Sequence, residues 1–123
     1  DWRDLVRATI ESVAYQTYDL FLSMRKDGLN PKSVKVDGGM VSNNWFVQFL
    51  SEILKIKITR TKINETTALG VAYMAGYQNG IYRSLNDIKQ NWKKDRDFKP
   101  KFNKSYRNKL LQGWQQAIKK TLA

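Results

Sequence analysis

From residue 2 to 26, inward-facing positions recur at steps of three and four: Leu5, Val6, Ile10, Val13, Thr17, Leu20, Phe21 and Met24. That spacing predicts a long amphipathic helix. Arg25 and Lys26 suit the negative end of its dipole, and Gly28 is a natural stop. After the connector Leu29-Asn30-Pro31-Lys32 the pattern changes. Ser33 to Val36 is a short β-branched run and reads as a buried strand. Asp37-Gly38-Gly39 breaks it, and Ser42 with Asn43 and Asn44 reads as the start of a helix. Trp45, Phe46, Phe49, Leu50, Ile53 and Leu54 carry that helix to about residue 54.

Lys57 to Thr61 is a second strand candidate, so helix, strand, helix and strand alternate. This order favours a parallel pair, because parallel strands need such crossovers. The next helix is expected from Glu65 to about Ile81, with Ala68, Ala72, Ala75 and Gly76 along one face. Small residues there allow close backbone packing. Gly70 inside this helix costs about 1 kcal/mol relative to alanine, which points to a tight contact with sheet or ligand. Ser84 to Gln90 has the pattern of a short helix capped by Ser84 with Asp87 at its third position. Trp92 to Asn103 is charged and reads as irregular, anchored by Phe98, Pro100 and Phe102. A last helix is predicted from Lys104 to Leu122, with Tyr106, Leu110, Trp114, Ala117, Ile118 and Leu122 as its apolar seam.

Two strands do not make a stable sheet by themselves, and a parallel pair is normally buried on both faces. An incomplete sheet is therefore expected over 1–123, with an open strand edge beside Val34 to Val36 that favours self-association. The chain also opens on Asp1-Trp2-Arg3, already in helical pattern, which reads as a piece of something longer.

Composition narrows the chemistry. The 123 residues, 41% of them hydrophobic, suffice for one modest core. There is no cysteine and no histidine, which removes disulfides, thiolate nucleophiles and the commonest general base. No run of about twenty apolar residues is present, so no membrane-spanning helix is expected. The net charge is +11, and most of it lies from Lys89 onward, where eleven lysines and arginines face only Asp95 and Asp97. Such a tail fits nucleic acid or a solvated helix face. The interleaving of its lysines with apolar anchors favours the solvated face.

The stretch with most chemical content is Val36-Asp37-Gly38-Gly39-Met40-Val41-Ser42-Asn43-Asn44. A glycine turn between the end of a strand and the start of a helix exposes backbone N–H groups, which favour anions and phosphates. Paired glycines let a ligand approach the main chain. An ordinary turn explains the same residues equally well.

This stretch, with Asp4 to Gln16, Thr66-Thr67-Ala68-Leu69-Gly70-Val71-Ala72-Tyr73 and Gly113-Trp114-Gln115-Gln116-Ala117-Ile118, resembles the C-terminal part of the FGGY carbohydrate kinase family, glycerol kinases in particular. Gln48, the Asn43-Asn44 pair and the closing Gly113-Trp114 favour that branch over xylulose or gluconate kinases. The resemblance implies an α/β fold: part of a ribonuclease-H-like, actin-like ATPase domain, helix-rich with a short parallel strand pair. It implies that Gly38, Gly39 and Asn43 contact ATP or ADP. It places the catalytic aspartate, the glycerol site and the Mg2+ site upstream of this segment, so that the segment alone is inactive. Asp37 is expected to orient the turn through its carboxylate. The parent enzyme is expected to be a cytoplasmic homo-oligomer that engages neither nucleic acid nor membrane.

Overall fold

In the computed structural model, which describes residues 1–62 and 65–122, α1 (Trp2–Lys26) lies along α2 (Asn44–Leu54). The α1 seam is used only from Ile10 onward. Ala14, Tyr15 and Phe21 are buried, and Ile10, Val13, Tyr18 and Met24 pack beside them. Leu5, Val6 and Leu20, read as seam positions, stand exposed.

The centre of the molecule is α2. Phe46, Val47 and every residue from Phe49 to Leu54 are buried, because this helix meets α1 and α5 (Lys104–Leu122) as well as the sheet. Burial of Val47, Ile53 and Leu54 contributes roughly 1.5–3 kcal/mol each. Tyr15 joins the three helices. Its ring stacks on Trp114 at 5.3 Å and meets Phe49 edge-on at 5.7 Å. Burial pushes its phenol pKa up to about 12, with the Glu11 carboxylate adding to the shift.

The sheet has three strands in the order β1-β2-β3. The expected parallel pair is present: β1 (Ser33–Val36) runs beside β2 (Lys57–Thr61), with Val34 opposite Ile58. But β1 is not the buried strand expected, since Val34 and Val36 are only half-buried and Ser33 and Lys35 are exposed where no further strand covers them among the described residues. The third strand was not expected. Within the stretch read as irregular, β3 (Lys94–Phe98) pairs antiparallel with β2, placing Ile58 opposite Phe98 and Thr59 opposite Asp97. Its Lys-Asp-Arg-Asp-Phe sequence carries no β-branched residue, so nothing local marks it as a strand. Cross-strand polar pairs hold it instead. The Thr59 hydroxyl donates to Asp97 at 2.7 Å, and Arg60 Nε donates to Asp95 at 2.7 Å.

Three helix details differ from expectation. Residues Gly39–Ser42 form a 3-10 turn, and α2 begins only at Asn44. Helix α3 (Thr66–Gln78) stops short of Ile81, and Asn79 follows it with its side-chain amide donating to the Ala75 carbonyl. In α5 the buried residue is Leu111, flanked by half-buried Leu110 and Trp114, whereas Tyr106 and Leu122 are exposed. Between α3 and β3, α4 (Leu85–Gln90) has the expected reciprocal cap between Ser84 and Asp87.

Close packing in α3 falls on Gly76, not Gly70. A Cβ on Gly76 would lie 2.8 Å from the Tyr82 ring, while one on Gly70 would meet nothing within 4 Å. Val71, Met74 and Tyr77 on this helix are exposed.

Candidate functional site

Gly38, Gly39 and Asn43 all lie in the link between β1 and α2. Strand β1 ends at Val36, and Gly38 turns the chain with φ +95, a conformation that side chains rarely adopt. Gly39 opens the 3-10 turn without a positive φ. A Cβ on either glycine would meet nothing within 4 Å, so the main chain faces open space here. The opening N–H groups of such a turn have no acceptor within it.

Asn43 closes the turn and caps α2. Its Oδ1 accepts from the N–H groups of Trp45 and Phe46 at 3.0 and 3.2 Å. The side-chain oxygen is therefore committed to the helix, and Nδ2 is the part of the amide left to donate outward. Asn44, the other half of the pair, is the first residue of α2.

Two short links tie the end of the turn to its glycines. The Val41 N–H donates to the Gly38 carbonyl at 3.3 Å, and the Ser42 hydroxyl donates to the Gly39 carbonyl at 2.6 Å. Arg60, on β2, donates from Nη1 to the carbonyls of Val41 at 2.7 Å and Ser42 at 3.3 Å. Asp37 does not orient the turn as expected. It is exposed, and its carboxylate accepts no hydrogen bond among the described residues. The cross-sheet arginine fulfils that role. Nothing local in Thr59-Arg60-Thr61 signals this, because its partners lie 18 and 19 residues earlier.

Beside the turn, a cavity of about 280 Å3 is lined by Lys35, Val36, Asp37, Thr61, Thr66 and Trp92. Lys35 Nζ sits 3.8 Å from the centre of the Trp92 ring. The cavity thus lies at the carboxyl ends of two parallel strands, where α/β sheets place their ligands. Gln48, one of the residues that favoured the glycerol kinase branch, is structural: its Nε2 donates to Glu52 and to the Lys99 carbonyl. Among the described residues no group of three or more acidic side chains is placed to hold a metal ion. No described helix is long and apolar enough to cross a membrane.

Comparison with known proteins bears on this arrangement. Residues 1–79 match the FGGY family of carbohydrate kinases, C-terminal domain. The chain belongs to the FGGY family. It is 48% identical over 118 residues to glycerol kinase 1 of Pseudomonas aeruginosa, covering 96% of this chain and 24% of that protein. A Marinomonas glycerol kinase is 50% identical over 115 residues, with 94% and 23% covered. The FGGY segment described here thus spans about a quarter of the length of these relatives. In structure it is similar to the Plasmodium falciparum glycerol kinase crystallised with ADP, with TM-score 0.82, 36% identity and coverage of 96% and 24%. Xylulose and gluconate kinases of Lactobacillus acidophilus share the fold at TM-score 0.71 and 21% identity. The ribonuclease-H-like, actin-like assignment therefore holds, with a mixed three-stranded sheet in place of a bare parallel pair.

Proposed function

We propose that this chain forms the nucleotide side of a glycerol kinase, with Gly38, Gly39 and Asn43 in contact with ATP or ADP. The parent enzyme transfers the γ-phosphoryl group of ATP to a glycerol hydroxyl, giving sn-glycerol 3-phosphate and ADP. The Pγ–O bond to the β-phosphate breaks, a new P–O bond to glycerol forms, and the hydroxyl proton passes to a carboxylate base. Phosphoryl transfer depends on positioning and charge stabilisation. In this reading the base, the glycerol contacts and the Mg2+ site lie in the other three quarters of the enzyme. The chain alone holds nucleotide but transfers nothing.

The observation that carries the reading is the bare backbone of Gly38 and Gly39, open to solvent at the carboxyl end of a strand and followed by a capped helix. Support comes from 36% identity to a glycerol kinase crystallised with ADP. Relatives at 48% and 50% identity are glycerol kinases, while the xylulose and gluconate kinases stand at 21%, which favours glycerol as the acceptor.

Gly39→Val tests the reading. Because Gly39 needs no positive φ and its Cβ meets nothing, the variant keeps the fold while filling the space above the turn. In calorimetric titration with Mg-ADP, the unsubstituted chain binds and Gly39→Val weakens binding by about tenfold or more, equivalent to ~1.4 kcal/mol. Equal affinity in the two proteins counts against nucleotide contact at this turn. Nucleic-acid binding by the basic C-terminal quarter, the rival reading, would instead fall steeply with salt and resist competition by ADP.

A further inference from the structure

We infer that Arg60 is a positioning residue for the nucleotide, acting through the glycine turn; the inference rests on the reading of that turn given above. Arg60 touches no ligand in this account. Its side chain is 12% exposed, and its guanidinium is engaged on three sides. Nη1 donates to the carbonyls of Val41 and Ser42. Nε and Nη2 each lie 2.7 Å from one Asp95 carboxylate oxygen on β3. The face of the group lies over the Phe98 ring, 5.3 Å from its centre.

The residues Arg60 grips are those that hold the glycines. Val41 reaches back to the Gly38 carbonyl through its N–H, and Ser42 reaches back to the Gly39 carbonyl through its hydroxyl. Arg60 therefore fixes the distal end of a four-residue turn whose proximal end is the proposed contact surface. Asn43 secures the same junction from the other side by capping α2. A planar fork is required, since one group must reach two carbonyls and a carboxylate at once, which a lysine ammonium on a flexible stem does not reproduce. Asp95 supplies the opposing charge and sets the direction of the fork, so the third strand, at the sheet edge, contributes to a site it does not line.

The experiment compares the unsubstituted chain with Arg60→Met, Arg60→Lys, Asp95→Asn and a control, Ser51→Ala. Ser51 is fully buried and donates to the Ile56 and Phe98 carbonyls, so its loss destabilises the fold without touching the turn. Two quantities are read: hydrogen exchange at the Val41 and Asn43 amides relative to the core of α2, and the Kd for Mg-ADP. Arg60→Met should speed exchange at these two amides selectively and raise Kd about tenfold. Arg60→Lys should recover only part of this, and Asp95→Asn should fall between Arg60→Lys and the unsubstituted chain. Ser51→Ala should loosen the core with Kd unchanged. Unchanged turn exchange in Arg60→Met, or an equal rise in Kd with Ser51→Ala, overturns the inference. If the unsubstituted chain fails to bind Mg-ADP, the proposed function and the nucleotide half of the inference fall together. The exchange comparison still decides whether Arg60 holds the turn.

Discussion

Glu52 is a carboxylate with 2% of its surface exposed, in the last turn of α2. Burial of a charge is tolerated only where donors surround it. Here Oε2 accepts from the N–H groups of Lys101 and Phe102 at 2.5 and 2.7 Å, and Oε1 accepts from Gln48. Glu52 thus pins the connector between β3 and α5. Glu52→Ala should lower stability by about 2–4 kcal/mol in urea unfolding, because it leaves two backbone donors without their acceptor. Glu52→Gln, which keeps one oxygen in place, should cost less. A loss under about 0.5 kcal/mol for the alanine variant, the range of ordinary surface changes, would contradict this role. Sequence reading placed Gly38, Gly39 and Asn43 in a glycine turn that leads into a helix, because turn and cap chemistry is local. It missed Glu52 and Arg60, whose partners sit 49 and 50 residues later and 18 and 19 residues earlier, respectively. A glutamate or arginine within an element looks solvent-facing until tertiary structure brings its partners.

Among the elements, α1, α2 and β1 follow from their apolar spacing, and β3 does not. A strand with alternating charge is chosen by its neighbour rather than by its own propensity. That dependence makes the β2–β3 pair sensitive to acid. Asp97 has a pKa held below the usual carboxylate range, first by the Thr59 hydroxyl and then by Lys94. A lowered pKa in the folded state gives stability that is present above the unfolded value and lost as pH falls through the folded one. Amides of β3 should therefore lose exchange protection as pH drops below about 4, the ordinary carboxylate range, while α2 keeps its protection longer. In Asp97→Asn this acid step should vanish. Persistence of the step in that variant would assign it to another carboxylate. Of the small-residue face read on α3, only Gly76 is packed, while Ala68, Ala72 and Ala75 stand exposed; its neighbour, Tyr82, follows the helix rather than facing it from the sheet.

At the scale of the whole molecule, β1 pairs with β2 alone in the described sheet, and α3 leaves Val71, Met74 and Tyr77 exposed. Both features fit a segment that spans about a quarter of its relatives. Family membership was legible because four short motifs keep their order along nearly the full chain. The mixed sheet was not, because it needs a pairing between distant stretches, one of them without strand character. Part of the positive charge is spent on internal bonds: Arg60 donates to the Val41 carbonyl and Arg107 to the Ile53 carbonyl near the end of α2. If the turn between β1 and α2 is a nucleotide half-site, an amide-resolved NMR titration of this chain with Mg-ADP should give saturable shifts centred on Gly38, Gly39 and Asn43. A well-dispersed spectrum in which those amides stay still while Mg-ADP reaches millimolar concentration would contradict that reading.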